Sequence, residues 1–184
     1  MEKLNDYSGE FLPDLKFTDF SLNTCADLLS LFAKLYLAVD GFWYLTVKKK
    51  VGNEVALACD IEVLKRVATY EMEKVTELLN IKGSDVTCVM KAMQTTPWFR
   101  NTEHKIEIKS QNTAVLTINN CATLRALEKE GEGRENEICK IVEPIVFKRY
   151  AAFFNPDIEV RCLKSPPRKS SEEICCVWEF SVEK

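Results

Sequence analysis

Lys105-Ile-Glu-Ile-Lys-Ser-Gln-Asn-Thr-Ala-Val-Leu-Thr-Ile-Asn119 is the stretch in which the hydrophobic period of the chain changes. Alternating or β-branched residues flank Ser110-Gln-Asn112, whose turn chemistry predicts a β-hairpin over 105–109 and 113–119.

Upstream of this hairpin the period is helical. From Ser21, residues Leu22, Cys25, Leu28, Leu29, Phe32, Leu35, Val39, Phe42 and Trp43 recur at three- and four-residue steps, which predicts a long amphipathic helix with that stripe facing a core. Lys48-Lys49-Lys50 suits the negative pole of its dipole, and Gly52 stops it. A second helix is expected over 54–80, ended by Gly83, with Val55, Cys59, Leu64, Val67, Ala68, Val75, Leu78 and Leu79 on one face. Ser84-Asp85 caps a third that runs to Gln94 before Pro97 closes it. Residues 1–17 hold no period and read as an arm packed through Phe11, Leu15 and Phe17.

Downstream, a short helix follows Cys121 and a longer one spans 137–154, with Gly131-Glu-Gly133 between them. Residues 157–163 and 174–182 read as a second hairpin joined by a polar loop containing Pro166-Pro167. Three helices, a hairpin, two helices and a hairpin make an α+β fold: long antiparallel N-terminal helices packed with a largely antiparallel sheet, since the strand-helix alternation of a parallel sheet is missing. The 184 residues fit one domain, helical over 1–97 and mixed over 98–184.

The 28 acidic and 25 basic residues leave a net charge of −3, with no surplus to attract a phosphate backbone, so nucleic acid is not an expected partner. The polar N-terminus lacks a secretory apolar region, and the apolar stretch 35–47 is interrupted by Asp40 and falls short of the ~20 residues that span a bilayer. A cytoplasmic setting without a membrane partner is expected, in which the eight cysteines are thiols or metal ligands rather than disulfides. Glycine-rich phosphate loops, the GxSxG elbow and the HExxH helix are absent. The one histidine, His104, reads as an exposed polar residue.

Two sets of side chains carry candidate chemistry. Asp60 and Glu71 fall on or beside the apolar stripe of the second helix. If the two long helices form a hairpin, Asp40 and Asp60 lie about 4 to 5 Å apart along the axis, from a rise of 1.5 Å per residue. Trp43 comes level with Asp60. Such a site has an aromatic wall and a carboxylate able to act as a general base or to bind an amine or a metal. The alternative is a solvated Asp40, with Asp60 and Glu71 paired to Lys65, Arg66 or Lys74 at helical spacing.

Strand parity supplies the second set. Cys176 shares a face with Ile174, Trp178, Phe180 and Val182, and Cys162 shares one with Ile158 and Val160, so both are expected on the core side. Together with Cys121 and Cys139 they could bind tetrahedral zinc at about 2.3 Å per bond, or form an apolar thiol core. Cys25, Cys59 and Cys88 read as dispersed packing residues.

The motifs Asp40-Gly-Phe-Trp-Tyr44, Asp60-Ile-Glu-Val63, Tyr70-Glu71, Asn120-Cys121, Cys139-Lys140, Asn155-Pro-Asp-Ile-Glu-Val-Arg-Cys162, Pro166-Pro167 and Cys176-Val-Trp-Glu-Phe180 resemble a family of small, uncharacterised bacterial and archaeal cytosolic proteins. More distantly, the C-terminal half is similar to the L-2-amino-thiazoline-4-carboxylic acid hydrolase-like and 4-vinyl reductase domains, which are α+β modules that bind ligands or metals. The resemblance implies that Cys121, Cys139, Cys162 and Cys176 occupy the family's motif positions. Three functions stand as expectations: a metal- or small-ligand-binding domain, a hydrolase of small cyclic C–N compounds in which Asp60 or Glu71 acts as base or a cysteine-bound metal activates water, and a structural or dimerising module, for which a homodimer is possible, with no small-molecule site.

Overall fold

The structure, a computed structural model, describes residues 3–183. It is α+β, as the change of period predicts. Ser21 caps α1 (Leu22–Val51), its hydroxyl accepting from Thr24 N at 3.2 Å, and the three lysines occupy the last turn. Gly52, at φ +93°, turns the chain at once into α2 (Asn53–Leu79). The positive φ is a conformation that glycine adopts without a Cβ clash. Tyr44 bonds to Asn53 and Tyr36 to Glu71, so the two long helices run antiparallel. Asp85 caps α3 (Val86–Met93), its Oδ1 accepting from Cys88 N at 2.9 Å.

The stripe predicted to bury α1 faces outward instead. Leu22, Leu29, Phe32, Leu35, Val39 and Phe42 are exposed, and only Ala33 and Tyr44 are buried. The physical reason is that α1 touches chiefly α2 and the turn after Pro97, and its inner residues border a cavity rather than a filled core. α1 also holds an 18-residue window of mean hydropathy 1.3, long and apolar enough to cross a membrane, which corrects the expectation that no stretch reaches that length. Its length and composition alone carry this signal, and the core helix of a soluble protein gives it too. The N-terminal arm differs as well. Phe11 and Phe17 are exposed, and the arm is held by a parallel bridge between Leu4 and Phe20, with Tyr7 edge-on to Phe20 at 6.4 Å.

Strands β1 (Thr102–Ser110), β2 (Thr113–Cys121), β3 (Glu159–Lys164) and β4 (Cys176–Ser181) form one antiparallel sheet in the order β1-β2-β4-β3. The two predicted hairpins therefore join through β2 and β4, with Ala114 opposite Phe180, Leu116 opposite Trp178 and Ile118 opposite Cys176. All six are buried and make the sheet's contribution to the core. α3 and α6 (Glu143–Phe154) pack near this face, where the Phe147 ring meets Trp178 edge-on at 5.0 Å.

Between the sheet's two hairpins lie α4 (Ala122–Glu130), ended by Gly131 at φ +74°, a one-turn α5 (Glu135–Glu137), and a π-helical segment, Ile138–Val142, that leads into α6. The sequence predicts one regular helix over 137–154. Pro144 explains the difference: it has no N–H to donate one turn back and its ring crowds the carbonyl of Lys140, so the helix widens just before it. His104 is half-buried rather than exposed, its Nδ1 2.9 Å from Thr102 Oγ1 and its ring 4.9 Å from that of Phe99.

Candidate functional site

A cavity of about 730 Å³ opens between the inner face of α1, the facing side of α2, and the layer formed by α4, the π segment and α6. Asp40 and Tyr44 reach it from α1, Asp60 and Glu71 from α2, and Glu143, Phe147 and Tyr150 from α6. Helical spacing explains the convergence. Asp60, Leu64, Val67 and Glu71 lie on one side of α2, and Glu143, Phe147 and Tyr150 repeat at four- and three-residue steps on α6. The walls between the polar groups are apolar, with Trp98, Leu127, Ile138 and Val142 among them.

The three carboxylates singled out in the sequence border this one partly open cavity. Trp43 does not: it is 41% exposed, and Tyr44, one residue on and 3% exposed, takes the inner position. One residue turns a helix by 100°, enough to move a side chain from the inner to the outer face. Nor do Asp60 and Glu71 pair with Lys65, Arg66 or Lys74. Lys65 binds Glu62, and Lys74 binds Glu73 and Glu77, on the solvent side.

Around Tyr44 the polar groups are ordered. Its hydroxyl donates to Asn53 Oδ1 at 2.9 Å, and Asn53 Nδ2 donates to Glu137 Oε2 at 2.8 Å. The Arg134 guanidinium lies over the Tyr44 ring at 3.9 Å and donates through Nη1 to Glu130 Oε2 at 2.5 Å. Lys48 holds the other oxygen of Glu130 at 2.8 Å, tying the end of α1 to the end of α4. At the opposite side Glu71 accepts from Tyr150 at 2.5 Å and from Tyr36 at 3.4 Å.

Burial sets the charge state of these acids. Asp60 is pushed up to about 7, first by loss of water and then by the nearby Asp40, with Arg134 opposing. Burial alone pushes Glu143 up to about 8. Asp40 and Glu71 are also raised by burial, against Arg134 in the first case and the two tyrosine hydroxyls in the second. Asp60 Oδ1, Glu143 Oε2 and Arg134 Nε are buried and find no hydrogen-bond partner among the described residues.

A family model described as a family of unknown function, DUF6125, matches residues 18–182. The chain belongs to the DUF6125 family. No curated protein and no solved structure matches it. The family match brings no likeness to the thiazoline-carboxylate hydrolase or 4-vinyl reductase domains. Every motif quoted from the sequence falls within the matched residues of this DUF6125 chain.

The cysteines separate into two environments. Cys121, Cys139 and Cys176 are buried, and each thiol is pushed up by burial with Glu143 adding to the rise, Cys121 to about 12. Cys162 is exposed and donates to Lys164 O at 3.2 Å, which corrects the expectation of an inward thiol beside Cys176. Its strand β3 is a sheet edge, and the register slips between Cys162 and Lys164. A slip of that kind re-aims a side chain even where parity is right. Among the described residues no group of three or more His, Cys, Asp or Glu side chains is arranged to hold a metal ion. Of the three cysteines read as dispersed packing, Cys88 is buried, Cys25 partly so, and Cys59 exposed.

Tyr44, Arg134, Glu143 and Tyr150 also line the cavity, and sequence reasoning did not single them out as candidate site residues. Glu143 carried the signal used for Asp60 and Glu71, a carboxylate in step with an apolar helical stripe. Arg134 carried none, since it follows Gly131-Glu-Gly133 and reads as part of a connection.

Proposed function

We propose that this DUF6125 chain is a binding domain for a small organic molecule, taken into the cavity between α1, α2, α4 and α6. The observation that carries this reading is the trio of buried polar atoms without partners, Asp60 Oδ1, Glu143 Oε2 and Arg134 Nε, on residues that line the cavity. Leaving such a group unmet costs about 1 to 3 kcal/mol, which a ligand offering complementary groups removes. A volume of about 730 Å³ also lies within the roughly 300 to 1,000 Å³ usual for small-molecule sites. The setting is the cytosol, a reading supported by eight cysteines that are all free.

A metabolite library screened by thermal shift against the full chain and an Ala68→Phe variant tests the reading. Ala68 is 1% exposed and borders the cavity, so phenylalanine there fills space a ligand needs. Compounds should raise the Tm of the wild type and not that of Ala68→Phe. Equal shifts in both would contradict it.

Asp60 favours a second reading, hydrolysis of small cyclic C–N compounds. A carboxyl pushed up to about 7 exchanges protons at neutral pH, as a general acid or base must. Mass spectrometry of such compounds incubated with wild type and Asp60→Asn tests it. Turnover lost in the variant is the expected result, and unchanged compounds in both would overturn it.

A further inference from the structure

The cavity contains more acid than it neutralises. Asp40, Asp60, Glu71 and Glu143 border it, and among the described residues none of the four makes a salt bridge. Arg134, the buried cation, is already committed to Glu130 at 2.5 Å. Lys34 and Lys129 stand at exposed positions on its border. Around Asp60 the charged neighbours are Asp40 from α1 and Arg134 before α5, with Glu130 and Glu137 bound into the same network. Fully ionised, the lining acids Asp40, Asp60, Glu71, Glu130 and Glu143 carry five negative charges against three positive ones, two of which sit on the exposed Lys34 and Lys129.

From this imbalance, and resting on the small-ligand reading above, we infer that the ligand is an organic cation, a protonated amine on an apolar body, whose nitrogen is received by Asp60 with Asp40 beside it. The apolar walls take the body, and the carboxylate accepts hydrogen bonds from the ammonium. Charge-assisted bonds of this kind are about twice as strong as neutral ones. Burial and the neighbouring Asp40 let Asp60 keep its proton up to about neutral pH, against the pull of Arg134. An arriving ammonium supplies the counter-charge, and the carboxyl proton leaves to solvent, so the site's net charge is unchanged. Neutral alcohols cannot make that exchange, and carboxylates add like charge. Glu143, also unpartnered at Oε2, offers a second acidic anchor for a ligand with a further donor.

The test is calorimetric titration of the full chain with hexylamine, octylamine and phenylbutylamine, each beside its matched alcohol and carboxylate, at pH 6 and pH 8. Amines should bind at least tenfold more tightly than their alcohols. Their affinity should rise about tenfold from pH 6 to pH 8, because the fraction of Asp60 free to ionise rises by about that factor around a value near 7. Asp60→Asn and Asp40→Asn, each checked for fold by circular dichroism, should lose most of that preference, and Ala68→Phe should abolish binding. Alcohols or carboxylates that bind as well as the amines, with binding lost in Ala68→Phe, would overturn the cation inference and leave the small-ligand reading standing. Failure of every amine to bind would also overturn the inference. Binding that survives in Ala68→Phe would remove both.

Discussion

Replacing Asp60 with asparagine keeps the shape of a buried side chain and removes its ability to ionise. A rise from 3.8 to about 7 corresponds to about 4 kcal/mol in favour of the neutral acid, at 1.36 kcal/mol per pH unit. Water entry and relaxation on charging reduce such penalties, so the effect should be about 2 kcal/mol. The sign follows from proton binding. Between the ordinary value of 3.8 and the folded value near 7, the folded state holds more protons than the unfolded chain. Stability of the wild type therefore falls as pH rises through that window and levels above it, and Asp60→Asn escapes this loss. Any cost of an imperfectly placed amide is the same at each pH, about 1 kcal/mol, and cancels when the two proteins are compared across pH. Urea unfolding at pH 4.5 and pH 8 should show the variant gaining about 2 kcal/mol on the wild type between the two. A difference that does not change with pH, or that changes in favour of the wild type, would refute the picture of a buried, uncompensated carboxyl.

Tyr150→Phe deletes the 2.5 Å bond to Glu71 and should cost about 1 to 3 kcal/mol in urea unfolding at neutral pH; no measurable loss would mean that water replaces the hydroxyl. Asp85→Ala removes the cap of α3 and should cost about 1 kcal/mol in the same assay, and an unchanged midpoint would contradict the cap. Thiol labelling of the native protein followed by peptide mass spectrometry should modify Cys59 and Cys162 first and reach Cys121, Cys139 and Cys176 only as the chain unfolds, whereas rapid labelling of Cys139 would place it outside the core.

Element types and their order were legible because each segment keeps one period over several turns or pleats. Both long helices, the capped α3 and both hairpins follow from it. The outward stripe of α1 was not legible: periodicity reports that a helix has an apolar face, not which neighbour meets it, and here the more polar face with Asp40 and Tyr44 turns inward to the cavity. The same limit explains Trp43 and Tyr44, adjacent aromatics of which only one can face in. Asp60 and Glu71 could be found because a carboxylate on an apolar stripe is locally inconsistent, and such inconsistencies concentrate at functional sites. Glu143 could have been found in the same way. Arg134 and the exposed Cys162 depend on a connection and an edge-strand register slip, which only the assembled chain defines.

Asp60 and Glu143 are buried at the border of the cavity and make no salt bridge among the described residues, and carbon-13 NMR of the side-chain carboxyls, followed from pH 3 to pH 9, tests that burial directly. Asp60 should titrate near 7 and Glu143 near 8, well above the solvent-exposed acids. Both groups titrating near 4 would contradict it, and with it the reading of the cavity as a receptor for organic cations.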